Sequence, residues 1–188
     1  MKVIIAQGNP EDKYSNTRHN IGFLALDYFV NKLNLSYKTS AKFKALYCEK
    51  DLFNEKALFV KPLTYYNNTG ESALSIMNFY KLKSSDFLVI HDELALDFLR
   101  VRVRLGGQDA GNNGIKSIIK AIGDKFWRVR IGIQDNKLRL NDNNFVLSKL
   151  SSEELLELKN RIFPELDQII EDFIKQEIKP HSINLIKK

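Results

Sequence analysis

Two short apolar runs, Val3-Ile4-Ile5-Ala6 and Phe87-Leu88-Val89-Ile90, constrain the fold more than any other feature of the chain. Each is only four residues long and is stopped at once, by Gly8-Asn9-Pro10 after Gln7 in the first case and by His91-Asp92-Glu93 in the second. Runs this short with no helical spacing predict buried strands. Helical periodicity lies between and around them. Ile21, Leu24, Ala25, Tyr28, Phe29 and Leu33 predict a helix over residues 20–33. A second helix follows Pro62, with Thr69 as its cap and Ala73, Ile76, Met77 and Tyr80 on one face. Residues 43–49 and 57–61 read as a hairpin turning near Asn54-Glu55.

Farther along, residues 98–105 alternate, with Arg100, Arg102 and Arg104 on one face and Leu99, Val101, Val103 and Leu105 on the other. The glycine-rich loop GGQDAGNNG then leads to a helix over 115–122 and a strand over 127–133. Ser151-Ser152-Glu153-Glu154 opens a last long helix, expected to break or kink at Pro164. The hairpin requires antiparallel pairing and the helix-linked strands allow parallel pairing. The expectation is α/β: a single-domain sandwich over residues 1–188, with a twisted mixed β-sheet flanked by helices.

Composition narrows the setting. Cys48 is the one cysteine, so no internal disulfide can form and no paired-cysteine metal or redox motif exists. The N-terminal apolar run is too short for a signal-peptide core or a membrane span, so a cytoplasmic protein with no membrane association is expected. The net charge is +6, and residues 100–130 hold eight basic side chains against two acidic ones. Such a strip suits a polyanion such as RNA, and equally a solvated face kept for solubility.

Three polar clusters, at residues 9–20, 65–68 and 91–93, adjoin predicted strands or helices, where α/β folds assemble their sites. Turn chemistry accounts for Gly8, Pro10, Asp12 and Ser15 but not for His19. A histidine beside a carboxylate can act as a general base near neutral pH, and His19 with Asp92 would make such a pair. His91 is the other candidate base, or a packed structural histidine. No serine sits in a GxSxG elbow, no HExxH pair exists, and the glycine loop lacks both GxGxxG and the Walker lysine.

GNPEDKYSNTRHNIG, KPLTYYNNTGES, VIHDEL and RLGGQDAGNNGIKSI followed by WRVRIGI, in this order, resemble the motifs of bacterial peptidyl-tRNA hydrolases over almost the whole chain. The resemblance implies the fold of that family and an esterase that cleaves the bond between a peptide and the 3′ ribose of tRNA, returning tRNA to translation. It implies no metal and no cofactor, and a monomer whose partner is peptidyl-tRNA. By the same resemblance His19 is the base that activates water and Asp92 its orienting carboxylate. Asn9, Tyr14, Tyr66, Asn67 and Asn113 belong to substrate binding, and Arg104 and Arg130 to tRNA phosphate contact. Three departures stand out: Tyr65-Tyr66 where the family often has Phe-Met, Arg104 in place of a lysine, and Ala95-Leu96-Asp97-Phe98 in place of an Asp-Leu-Pro-like turn.

Overall fold

The computed structural model describes residues 1–134 and 142–186. Its elements in chain order are β1 (Lys2–Ala6), α1 (Ile21–Lys32), β2 (Lys38–Ser40), β3 (Ala45–Leu52), β4 (Glu55–Pro62), α2 (Thr69–Tyr80), β5 (Phe87–Asp97), β6 (Arg100–Leu105), α3 (Asn113–Ile122), β7 (Trp127–Gln134), α4 (Asp142–Val146), α5 (Ser152–Glu157), α6 (Phe163–Lys175) and β8 (His181–Asn184). The strands form one mixed sheet in the order β2-β3-β4-β1-β5-β7-β6-β8. The central strands β4, β1, β5 and β7 are parallel, and the outer pairings on both sides are antiparallel.

The two apolar runs occupy the middle of this sheet because their side chains must be buried on both faces. Ile4, Ala6, Leu88 and Ile90 pack with α1 and α6, whereas Val3, Ile5, Phe87 and Val89 pack with α2 and α3. Successive strand residues point to opposite faces, so an unbroken run fills both layers at once. Burial of each aliphatic side chain of this size contributes about 2 kcal/mol.

Several boundaries differ from expectation. β5 does not stop at Ile90: it runs on to Asp97, with His91, Asp92 and Glu93 still paired to Arg130, Ile131 and Gly132 of β7. Polar residues can occupy a central strand when their side chains find partners, as Asp92 and Glu93 do here. The alternating segment is a strand only from Arg100, because Leu99 takes φ 66° in the preceding turn. Leu105, expected on the inner face, is exposed. Thr69 is the first residue of α2 and not its cap; Asn68 precedes it, and the Thr69 hydroxyl donates to the Tyr66 carbonyl. The irregularity expected at Pro164 lies upstream, in a π-helical turn over Leu158–Ile162. Pro164 itself is the second residue of α6, directly after that turn.

Candidate active site

The chain leaves β1 toward one face of the sheet, forming α1, and leaves the adjacent parallel strand β4 toward the other, forming α2. The loops after the two strands diverge and open a crevice at their carboxyl ends. Asn9 and Tyr66 bridge it, with the Tyr66 backbone N–H donating to Asn9 Oδ1 at 2.9 Å. Asn20 fixes Asn9 from below: its Oδ1 accepts from the Asn9 N–H at 2.8 Å and its Nδ2 donates to the Asn9 carbonyl at 2.9 Å. Asn9 is held through its backbone and its carbonyl oxygen, which leaves Nδ2 for a ligand.

His19 lies in a short 3-10 turn, Arg18–Asn20, at the head of α1. Its Nδ1 donates to Asp92 Oδ2 at 2.9 Å. The Asp92 side chain is 3% exposed and that of His19 16%, so the carboxylate is buried while the imidazole reaches the surface of a cavity. The second oxygen, Oδ1, accepts from the Tyr66 hydroxyl at 2.5 Å. The Tyr66 ring stacks on the His19 ring with centroids 3.5 Å apart and planes 16° from parallel. Burial, reinforced by the charge of Asp92, pushes the Tyr66 phenol well above the usual tyrosine range, so it remains a donor at neutral pH.

His91, the alternative base, lies 2% exposed on the opposite face of β5. Its Nδ1 is 2.7 Å from the Asp92 carbonyl, and its Nε2 is buried without a partner among the described residues. Cys48 is buried as well. Burial and the charge of Asp27 push its thiol up to about 11, so it holds little thiolate at neutral pH.

The cavity of about 570 Å³ brings together His19, Asp92, Asn9, Tyr14, Tyr66, Asn67 and Asn113. Asn67 and Asn113 are exposed there, with their amides free of protein partners among the described residues. Arg104 and Arg130 do not line it. They lie on β6 and β7, where the register sets Arg104 opposite Arg128 and Arg102 opposite Arg130. Arg130 is held by Glu93 at 2.8 Å, and Arg104 donates to the Val103 and His181 carbonyls.

Sequence reasoning passed over four contributors. Asn112 lines the cavity, accepts from Ile115 N–H as the N-cap of α3, and donates from Nδ2 to the Tyr66 hydroxyl at 2.9 Å. The Asn-x-x-Ile start of an apolar helix was the available signal. Val146 and Leu147 also line the cavity, brought there by buried Arg18, which lies 2.7 Å from Glu154 and stacks over Phe145. The fourth is Arg128, which donates to the Gln108 and Gly107 carbonyls and so gives the glycine-rich loop a defined path. Gly106, Gly107, Ala110 and Gly111 all take positive φ in that loop.

The sequence profile of the family described as Peptidyl-tRNA hydrolase matches residues 3–188. The chain belongs to this family. Peptidyl-tRNA hydrolases of Clostridium perfringens and Fusobacterium nucleatum are 41% and 40% identical to it. The alignments cover 95% and 94% of this chain and 94% and 97% of the relatives. A crystal structure of peptidyl-tRNA hydrolase from Acinetobacter baumannii superposes with a TM-score of 0.86 at 28% identity, covering 94% of this chain and 90% of that one. Membership makes the protein an enzyme, a hydrolase, and peptidyl-tRNA is the substrate of the peptidyl-tRNA hydrolase family. Among the described residues no helix is long and apolar enough to cross a membrane, and no group of three or more His, Cys, Asp or Glu could hold a metal ion.

Proposed function

We propose that the protein hydrolyses the ester between a peptide and the 3′ ribose of tRNA, with His19 as general base and Asp92 orienting it. The observation that carries this reading is the His19 ring at the cavity surface, with Nδ1 committed to a buried carboxylate and Nε2 left for water. Water bound at Nε2 gives up a proton as its oxygen attacks the ester carbonyl, and Asp92 stabilises the imidazolium that forms. The tetrahedral intermediate collapses by breaking the bond to the ribose oxygen. That oxygen takes the proton from His19, which leaves a free peptide acid and a 3′ hydroxyl.

The amides around the cavity suit the rest of the substrate. Each offers donors and an acceptor to a peptide backbone without reading its side chains. Asn9 Nδ2, Asn67 and Asn113 line the cavity and would hold the peptide and the polarised carbonyl, and Tyr14 lines the same cavity, where the terminal nucleotide would enter. Arg104 and Arg130, on the basic strands, would take tRNA phosphates away from the reacting bond. The reading is completed by one domain working in the cytoplasm as a monomer, a state that sedimentation of the purified protein would check.

The deciding experiment measures release of labelled acyl-amino acid from N-acetylated aminoacyl-tRNA by the wild type and by His19→Ala. Hydrolysis that requires His19 supports the reading. An inert wild type, or a His19→Ala enzyme with full turnover, would overturn it.

A further inference from the structure

We propose that Tyr66 is a positioning residue of the hydrolysis, holding Asp92 and the His19 ring in one orientation and joining both to the loop that precedes α3. The inference rests on the reading of His19 as the base. Tyr66 meets each part of the site through a different atom. Its hydroxyl donates to Asp92 Oδ1 while His19 donates to Oδ2, so donors from two separate loops occupy both oxygens of one carboxylate. Rotation of that carboxylate would break at least one of these bonds. The phenol ring lies flat on the imidazole, which opposes a flip that would exchange Nδ1 and Nε2. The Tyr66 backbone is fixed by Asn9 Oδ1.

The other side of the ring faces the start of α3. A Cβ at Gly114 would fall 2.5 Å from Tyr66 Cε1, so this glycine lets the helix close onto the ring. Asn112 holds the Tyr66 hydroxyl with Nδ2 and caps α3 with Oδ1. The hydroxyl therefore accepts from Asn112 as it donates to Asp92, and the conformation of the glycine-rich loop reaches the imidazole through two buried groups. Tyr66 itself is 2% exposed, which makes its hydroxyl a support for Asp92 more than a contact for substrate.

The sign of its effect follows from charge. The phenol draws negative charge toward Oδ1. Without it, more of the charge rests on Oδ2 beside His19 Nδ1, the imidazolium is favoured, and the base is protonated at higher pH.

The test compares wild type, Tyr66→Phe, Asn112→Ala and the double variant on N-acetylated aminoacyl-tRNA across pH, with the His19 imidazole titration followed by NMR. For Tyr66→Phe we expect kcat to fall about tenfold, the scale of losing a hydrogen bond to a charged group, with KM little changed. The acid limb of kcat and the imidazole titration should both move to higher pH. Asn112→Ala should shift them the same way by less, and the double variant should lose no more than Tyr66→Phe. A folded Tyr66→Phe with an unmoved titration and acid limb would overturn the proposal, as would a loss confined to KM, which would make Tyr66 a groove wall. If Tyr66→Phe fails to fold, the presence or absence of the shift in Asn112→Ala decides. The NMR titration reads the coupling to His19 even if turnover does not depend on that residue, so failure of the His19 reading and failure of this one are separable.

Discussion

The two faces of β5 each place a histidine against Asp92, and they do opposite things with it. On one face His19, brought from another loop, binds the carboxylate with one nitrogen and keeps the other at a cavity. On the other, His91 Nδ1 lies against the Asp92 carbonyl and its second nitrogen is buried without a partner among the described residues. Burial holds the His91 imidazole down at about 4, so near neutral pH it is an uncharged part of the core. Proximity in sequence is thus a poor guide to chemical partnership in a strand, where neighbours point apart. Glu93, next along the strand, pairs with Arg130 of the basic strands and also borders the cavity into which Asp92 opens.

If the faces divide the work this way, His19→Ala should have the largest effect: a turnover loss of about 10²–10⁴, the usual scale for a general base, with tRNA affinity nearly unchanged. Parallel losses of kcat and tRNA binding would break the comparison, since His19 would then bind or fold. Asp92→Asn should come next. It keeps the shape but removes the charge, so turnover should fall about 10- to 100-fold and the acid limb should move to lower pH. This is opposite in direction to the shift expected for Tyr66→Phe. A pH-rate series on the three enzymes reads both signs in one experiment.

The other histidine should appear in stability and not in turnover. His91 binds its proton at about 4 in the folded chain and near 6.5 when unfolded, so between these values the unfolded state holds more protons. Its contribution is fully present above about pH 6.5 and is lost as pH falls toward about 4, a few kcal/mol in all. The negative charges of Asp92 and Glu93 favour the His91 imidazolium and the positive charge of Arg128 opposes it, which together limit the depth of that loss. Urea unfolding of wild type and His91→Asn at several pH values should converge on acidification. Curves that remain parallel would mean His91 does not titrate.

Smaller still are the effects expected at the basic strands. Arg104→Ala and Arg130→Ala should each weaken tRNA binding several-fold and lower the salt slope by about one, while a short nucleotide ester is cleaved at nearly the wild-type rate. Arg104, which donates to carbonyls and has no carboxylate partner among the described residues, should matter more than Arg130, which must share its charge with Glu93. Fluorescence titration of tRNA across salt concentrations would order the two. Chelation should do least of all: hydrolysis should persist in EDTA because the donors around the cavity are amides, phenols, one imidazole and two carboxylates, of which Asp92 is shared by His19 and Tyr66 and Glu93 is paired with Arg130. Loss of activity on chelation, restored by zinc, would require a different mechanism.

The central strands, α1 and the hairpin were legible because burial writes hydrophobicity directly into sequence. The mixed α/β sandwich followed from them. The polar half of β5 was not legible: Asp92 and Glu93 belong to a strand because of ladder partners on β7 and side-chain partners elsewhere, none of which leaves a local pattern. His19, Asn9 and Asp92 stood out through turn residues that local turns did not need, and by resemblance to a family. Asn112 was missed because its capping and its bond to Tyr66 depend on a helix beginning two residues earlier than periodicity suggested. The end strands β2 and β8 were missed for a simpler reason. They are short, and none of their residues is fully buried.

That modest composition has a consequence for how copies of the chain meet in a crowded solution. A sheet ends in unpaired backbone groups, and a long flat apolar margin would invite another molecule to add its own strand. Here the margins are Lys38–Ser40 and His181–Asn184, three and four residues long and mostly polar. They give a visiting strand little length to register against and no greasy stripe to cover. The outermost parts of the sheet, which add least to its core, are therefore suited to discouraging fibrous growth from the fold.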